Sequence, residues 1–168
     1  YIVILKGEVS MFDYNIITDS DAYKKSHFLQ FPENVEAAAW YIEPRGGKYK
    51  KNVVFGHRYI IERYLSQQIT AKNIKRAARL AKLQNMPFNR EGWEYILNTY
   101  DGYIPVTIKG IREGTVVDAH NALMVIECHD PKVFWVGGHL EPMLLRMWYP
   151  TTVASLSRHI KYNVIKKY

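Results

Sequence analysis

The chain has 168 residues, of which 48% are hydrophobic and 23% are charged, and its formal net charge is +7. A chain of this length can bury about two thirds of the surface of its unfolded state, so we expect a soluble globular domain with its own core. No stretch approaches the roughly 18 consecutive apolar residues that cross a bilayer, which excludes a membrane span.

Cys128 is the only cysteine, which excludes an intrachain disulfide and a thiol-rich metal site. The apolar opening, residues 1–5, lacks a basic leader and is too short for a secretory signal, so we expect a reducing, cytoplasmic setting. Residues 1–10 are interpreted as an extra amino-terminal segment before a single domain over residues 11–168, complete or truncated. A genuine edge strand over residues 1–10 is the alternative.

Local signals predict the first elements. Ser20 or Asp21 can cap a short helix over residues 22–29, and a proline at position 32 stops it. A strand over residues 35–42 follows and leads into a basic loop rich in turn-forming residues, 43–48.

Helical periodicity then predicts three helices. The first covers residues 53–66, the second is capped by Thr70, and the third begins at Asn89 and stops at Asp101 and Gly102. The second helix buries a stripe of small and branched residues, and the third buries four residues at helical spacing: Ile74, Ala77, Ala78 and Ala81 in the second, and Trp93, Ile96, Leu97 and Tyr100 in the third.

From residue 104 the period changes to two, which predicts strands over residues 104–110, 115–117 and 122–128 in a small, largely antiparallel sheet. Residues 138–147 are predicted to be helical. Pro150 is predicted to interrupt that run before a final helix that starts at Thr151 or Thr152. The fold class is therefore α+β, with several helices packed on one small sheet.

Basic residues dominate the segment from Arg45 to Arg90, which holds twelve lysines and arginines and only Glu62 as an acidic residue. Such a segment can attract nucleic acid, a polyphosphate substrate or an acidic partner. A solvated helix face is the plainer interpretation and stays open.

Three residues are candidates for ligand contact. Tyr23 stands at the start of the first predicted helix, where its ring can project over a flat ligand, and Asp21 is its polar neighbour. Arg45 follows a strand and precedes two glycines, so its guanidinium can reach a phosphate while the backbone adjusts. By spacing alone, Tyr23 fits a core or surface aromatic equally, and Arg45 fits solvated surface.

Two dense local signatures resemble the nicotinamide phosphoribosyltransferase family. Residues 18–32 read TDSDAYKKSHFLQFP, and residues 148–158 read WYPTTVASLSR. The resemblance implies the amino-terminal α+β domain of a type II phosphoribosyltransferase, without the α/β barrel that follows it in the family. It further implies transfer of phosphoribosyl from phosphoribosyl pyrophosphate to nicotinamide, which forms nicotinamide mononucleotide in NAD salvage.

The resemblance also implies roles for the candidate residues. The family's matching Asp and Tyr reach from one subunit into its neighbour's nicotinamide pocket, which corresponds here to substrate binding by Asp21 and Tyr23. An arginine after the corresponding strand holds phosphate groups, which corresponds to Arg45. No catalytic or metal-binding residue is assigned to this chain, and we expect it to be inactive alone. It is expected to bind no cofactor by itself, whereas Mg²⁺, and optionally ATP, serve the complete enzyme.

The expected partners are a second copy, in a homodimer, or a carboxy-terminal barrel that completes the enzyme. His27 is expected to share a helix face with Tyr23 and to make a structural hydrogen bond, and Cys128 to be inert core. The block of Trp135, Glu141 and residues 148–150 is assigned to architecture. Two other functions stay open: a regulatory homologue of the full enzyme, and a basic module that binds nucleic acid or phosphate through residues 72–82, although aromatic platforms there are poor.

Overall fold

The computed structural model describes residues 14–167. The interpretation of residues 1–10 as an extra segment therefore falls outside the described residues, as does Tyr168.

Five strands form two antiparallel sheets within the described residues. The larger has the order β1-β5-β3, with β1 at Ala38–Ile42, β5 at Met124–Cys128 and β3 at Thr107–Gly110. The smaller pairs β2, Lys51–Val53, with β4, Val116–Asp118. The predicted antiparallel pairing is confirmed, but the strands belong to two sheets instead of one, because β2 pairs with β4 and not with β5.

Register and burial show why β5 is central. Ile126 lies opposite Trp40 of β1 on one side and Ile108 of β3 on the other. Met124, Ile126 and Cys128 alternate along the strand and are buried, so one face of β5 belongs to the core. The strand is therefore held by two neighbours and by its own apolar face.

The described helices follow in chain order. A 3-10 helix covers Ala22–Leu29, and α1, His57–Ile60, continues into a π-helical turn at Ile61–Leu65. Next come α2 at Ala71–Leu83 and α3 at Arg90–Thr99. Finally, α4 at Val136–Leu144 and a 3-10 turn at Leu145–Met147 lead into the 20-residue α5 at Trp148–Lys167.

The predictions for α2 and α3 are confirmed at their starts. The Thr70 hydroxyl accepts a hydrogen bond from the Asn73 amide at 3.2 Å, while the Asn73 side chain accepts one from the Thr70 amide at 2.9 Å. The Asn89 side chain caps α3 through the Gly92 amide at 3.0 Å. Of the four residues expected to be buried in α3, Trp93 and Ile96 are buried, whereas Leu97 and Tyr100 are half-buried.

Two predicted boundaries are wrong. The helix expected over residues 53–66 starts only at His57, because Lys51–Val53 forms β2 and Gly56, with φ 94°, turns the chain between them. Pro150 does not interrupt the last helix but lies in the first turn of α5. The amide that proline lacks has no intrahelical partner in a first turn, so nothing is lost there.

The core lies between the larger sheet and the helices, with α4 packed against β1, β5 and the 3-10 helix. Leu140, Leu144 and Met147 point inward and are fully buried, as predicted. The α+β fold class is confirmed. Across residues 14–167, no helix combines the length and apolar character needed to span a bilayer.

Candidate functional site

The 3-10 helix Ala22–Leu29 presents two neighbouring side chains in opposite directions. Tyr23 is 56% exposed, whereas Lys24 is 7% exposed. The Tyr23 ring lies 5.3 Å from the His27 ring, centroid to centroid, which confirms that the two share a face. The interaction found for the His27 side chain is this ring contact, and the structural hydrogen bond expected for it is not among the described interactions.

Three polar contacts fix this helix and the residues that lead into it. Asp19 accepts a hydrogen bond from Arg146 at 2.5 Å, and the Ser20 hydroxyl donates to the His139 carbonyl at 2.9 Å. The buried Lys24 ammonium forms an ion pair with Glu141. All three partners belong to α4 or the turn after it, so the helix that carries Tyr23 is anchored to one rigid element.

Asp21 is exposed and stands at the N-cap position of the helix. Its side chain makes no capping hydrogen bond, and the Ser20 hydroxyl is engaged with α4. The expectation that one of these two side chains caps the helix is therefore wrong. The Asp21 carboxylate instead lies at the surface, two residues before the exposed Tyr23 ring.

A second feature is a cleft of about 900 Å³ that we call the Arg45 cleft. Arg45 lies on its rim in the exposed loop after β1, and the loop is held where the His120 amide donates to the Pro44 carbonyl at 2.8 Å. Gly46 has φ 89°, a conformation that favours glycine, which explains the glycine next to the arginine. The cleft walls carry aromatic and polar side chains: Trp40, Tyr41, Asn52, Glu141, Trp148 and Thr152.

Asn52 and Trp40 were not predicted from the sequence as site residues. Asn52 lines the cleft, but its amide nitrogen is buried and has no hydrogen-bond partner, so the side chain would have to rotate before that nitrogen could donate to a ligand. Asn52 lies in a three-residue strand whose partner is more than 60 residues away, so no local signal marks it. Glu141 and Trp148, which were assigned to architecture, also line the cleft.

The structure separates the predicted residues into two places. Neither Asp21 nor Tyr23 lines the Arg45 cleft, and the helix that carries them is linked to a cleft residue by the ion pair between Lys24 and Glu141. Within one chain, the aromatic ring and the candidate phosphate ligand therefore do not face a common pocket. Each is exposed, so each can contact a ligand held partly by other residues.

Two side chains with reactive groups, Cys128 and His139, are buried in the core. Cys128 is fully buried, burial raises the pKa of its thiol, and its sulfur lies 3.3 Å from the Pro105 carbonyl. His139 is buried, with Nε2 3.1 Å from the Ile16 carbonyl, and burial lowers its pKa to about 4. Within residues 14–167, no three histidine, cysteine or acidic side chains are grouped as a metal site.

Fold and site together define an α+β domain that presents an aromatic ring on an anchored helix and an arginine on the rim of an aromatic cleft. Residues 15–108 match the family described as nicotinamide phosphoribosyltransferase, N-terminal domain. A nicotinamide phosphoribosyltransferase of Xanthomonas campestris pv. campestris (strain 8004) is 41% identical over 150 residues. That match covers 89% of this chain and 32% of the relative.

The chain therefore belongs to the nicotinamide phosphoribosyltransferase family, which confirms the resemblance read from residues 18–32 and 148–158. It spans about a third of the length of the relative it matches. The matched region contains Asp21, Tyr23 and Arg45, and it ends inside β3.

Proposed function

We propose that this chain is the amino-terminal portion of an NAD-salvage enzyme. The complete enzyme joins nicotinamide to phosphoribosyl pyrophosphate and releases nicotinamide mononucleotide and pyrophosphate. Membership of the family and the name of the Xanthomonas relative support this reaction. The enzyme acts in the cytoplasm, where free nicotinamide and the phosphoribosyl donor meet.

One observation carries the assignment of Tyr23: its ring is 56% exposed although the helix beneath it is fixed to α4. A large aromatic side chain held outward by a rigid support is preorganised to stack on a flat ring. We assign Tyr23 to the pyridine ring of nicotinamide and Asp21 to the polar edge of the same pocket. A second copy in a homodimer, or the barrel of the complete enzyme, supplies the remaining walls.

Arg45 is assigned to the phosphate groups of the second substrate. Its guanidinium is exposed at the rim of the cleft, where it can make a bidentate contact with phosphate oxygens. For the complete enzyme we assign Mg²⁺ to the pyrophosphate of the substrate, whose oxygens suit this cation, and not to residues of this chain. ATP, where the complete enzyme uses it, is likewise assigned to residues outside this chain.

The chain alone is expected not to turn over, because it covers only about a third of the length of the Xanthomonas relative and lacks the barrel of the complete enzyme. The test is to incubate the purified chain with nicotinamide, phosphoribosyl pyrophosphate and Mg²⁺ and to measure mononucleotide. A full-length chimera, in which residues 14–167 replace the matching segment of the Xanthomonas enzyme, is the positive control. Clear turnover by the chain alone would contradict the need for further residues.

The role of Tyr23 is tested in the same chimera. Tyr23→Ala removes the ring and should raise the KM for nicotinamide by at least about fivefold, since stacking on an aromatic side chain contributes on the order of 1–3 kcal/mol. Tyr23→Phe keeps the ring and should restore most of the affinity. Equal KM values for the parent and Tyr23→Ala would exclude the ring contact.

A further inference from the structure

Helix α5 is packed on one face only. Thr151 and Ser155 are the buried residues of the helix and bind the end of β2. The Ser155 hydroxyl accepts a hydrogen bond from the Val53 amide at 2.9 Å. The Thr151 hydroxyl accepts one from the Phe55 amide at 3.2 Å and donates to the Phe55 carbonyl at 2.8 Å.

The opposite face of α5 is apolar and exposed. Five large side chains recur at spacings of four, three, four and four residues, and each is between 43% and 79% exposed: Tyr149, Val153, Leu156, Ile160 and Val164. At 100° per residue they fall within a sector of about 80° and extend over about 22 Å of helix. We call this set the α5 stripe.

A helix that is packed on one face and apolar on the opposite face is typical of a helix buried between two layers. Single exposed apolar side chains are ordinary, but a continuous row of five marks an interaction surface. The smaller sheet and the 3-10 turn cover one side of α5. The α5 stripe is therefore a second packing face whose partner is not among residues 14–167.

Charge argues against a second copy of α5 as that partner. The helix carries Arg158, Lys161, Lys166 and Lys167 and has no aspartate or glutamate. Pairing two such helices would bring basic residues together with no opposite charge on either one, whereas paired helices use opposite charges beside the apolar seam. The length of the Xanthomonas relative indicates a different partner. About two thirds of its polypeptide lies outside the segment that this chain covers, and that remainder can cover the stripe.

We propose that the α5 stripe docks against the remaining part of a nicotinamide phosphoribosyltransferase polypeptide, supplied on the same chain or on another. This inference rests on the proposed function, since it takes the complete enzyme as the context of the chain. The stripe then fixes this domain, and with it Tyr23 and Arg45, relative to the residues that complete the substrate pocket.

The test compares two double variants, Leu156→Glu/Ile160→Glu on the stripe and Tyr162→Glu/Ile165→Glu off it. Both make the same change from apolar to acidic, and the off-stripe residues are 51% and 65% exposed, so they form a matched control. In the 168-residue chain alone, trypsin, whose sites at Arg158, Lys161 and Lys166 are kept in every variant, should cleave α5 at rates within about twofold in the parent and both variants. All four side chains already contact water there, so replacing them should change the opening of the helix little.

In the full-length chimera the stripe variant should be cleaved in α5 at least about tenfold faster than the parent. Burying one branched apolar side chain contributes about 1.5 kcal/mol or more, and 1.4 kcal/mol corresponds to tenfold in the population of the opened helix. The off-stripe variant should match the parent. Should the parent chimera be insoluble, the chain and the remainder of the Xanthomonas enzyme are co-expressed, and the stripe variant should weaken their association at least tenfold.

Three outcomes would overturn the proposal. One is equal cleavage of the stripe variant and the parent in the chimera, or equal association in the co-expressed pair. Another is self-association of the 168-residue chain, measured by sedimentation velocity, if the stripe variant abolishes it and the off-stripe variant does not. That result would identify a second copy as the partner. The third is co-flotation with vesicles containing phosphatidylserine that is lost in the stripe variant, which would identify a membrane surface.

Failure of the docking proposal is distinguishable from failure of the proposed function. If the chimera makes mononucleotide but the stripe variant is as protected as the parent, the docking face is wrong and the reaction stands. If α5 is protected through the stripe and no mononucleotide forms, the docking face stands and the reaction is wrong.

Discussion

Lys24 and Tyr23 show how one residue of the family signature supports the next. The Lys24 side chain is almost fully buried and its ammonium is paired with Glu141, while its nitrogen lies 5.3 Å from the centre of the Tyr23 ring. A buried ammonium needs its counter-charge, because an unpaired charge away from water is strongly unfavourable. Lys24 is therefore a positioning residue that holds the aromatic ring outward.

Removing the counter-charge should destabilise the domain. Glu141→Gln leaves the Lys24 ammonium buried with a neutral partner and should lower the free energy of unfolding by about 1–3 kcal/mol in urea titrations. Arg90→Gln is the control, because Arg90 and Glu94 form an exposed helix pair at 3.2 Å that contributes only about 0.3–0.5 kcal/mol. If Glu141→Gln and Arg90→Gln lower the free energy of unfolding equally, the buried Lys24 ammonium does not depend on Glu141 as its counter-charge.

His139 should make the domain sensitive to acid. Its pKa is lowered to about 4 by burial, with the rings of Trp93 and Trp135 beside it, whereas an unfolded histidine titrates near 6.5. As the pH falls below about 6.5 the unfolded chain takes up a proton that the folded chain refuses, so stability decreases down to about pH 4. The effect is on the order of 3 kcal/mol between pH 7 and pH 4.

The measurement is the free energy of unfolding in urea at several pH values between 7 and 4. His139→Gln should flatten this dependence, although it lowers stability at pH 7 by removing a packed ring. Burial also lowers the pKa of His57, which should therefore reduce stability in acid in the same way. His57 is unchanged in His139→Gln, so the pH dependence that remains in this variant includes its contribution. If the free energy of unfolding depends on pH as steeply in His139→Gln as in the parent, His139 is not the source of the acid sensitivity.

At the level of elements, helix α4 approaches strand β1 so closely that only glycine fits at the crossing. A Cβ atom on Gly137 would lie 2.2 Å from the Trp40 ring, whereas one on Gly138 would lie 3.4 Å from the same side chain. Trp40 also forms part of the wall of the Arg45 cleft. The spacing between α4 and β1 therefore sets the position of an aromatic side chain in the candidate site.

Gly137→Ala should displace the Trp40 ring and cost about 1–3 kcal/mol through overpacking. Gly138→Ala is its matched control, since the added methyl meets only ordinary van der Waals contact and alanine favours a helix by up to about 1 kcal/mol. Thermal unfolding gives the stability, and tryptophan fluorescence reports the displaced ring. If Gly137→Ala matches the parent in stability and in fluorescence, the space between α4 and β1 is large enough for a methyl group.

The elements also show what could be predicted from the sequence. Helices α2 and α3 could be predicted because their signals are local. Each has a capping residue, Thr70 or Asn89, directly followed by apolar residues at helical spacing. Strand β2 was missed because three residues carry no period, and its existence depends on pairing with β4. The resemblance to the family made Asp21, Tyr23 and Arg45 candidates, but only the tertiary structure brings Asn52, Trp40 and Glu141 into one cleft.

On the scale of the whole molecule, the larger sheet needs residues from beyond the region matched by the family. The match ends at residue 108, before β5 and α4 have begun. Strands β1 and β3 do not pair with each other, since β5 lies between them. Residues 15–108 are therefore not expected to fold without the segment that follows.

A chain of residues 14–108 should be largely unfolded, as judged by amide dispersion in NMR spectra, because it lacks the central strand and the helix that packs on it. A chain of residues 14–157 is the control. It loses the end of α5 beyond Ser155, the last buried residue of that helix, together with the ring contact between His159 and Tyr49, and should fold with a melting temperature close to that of the parent. A cooperative unfolding transition in the shorter chain would contradict the central role of β5.

The position of β5 between its neighbours also governs the order of events on the ribosome. Ile42 pairs with Met124, about 80 residues later, so β1 leaves the exit tunnel long before its partner has been translated. Until then the nascent chain exposes two strand edges that invite pairing with other chains. Newly made copies are therefore expected to depend on ribosome-associated chaperones until translation has passed Cys128.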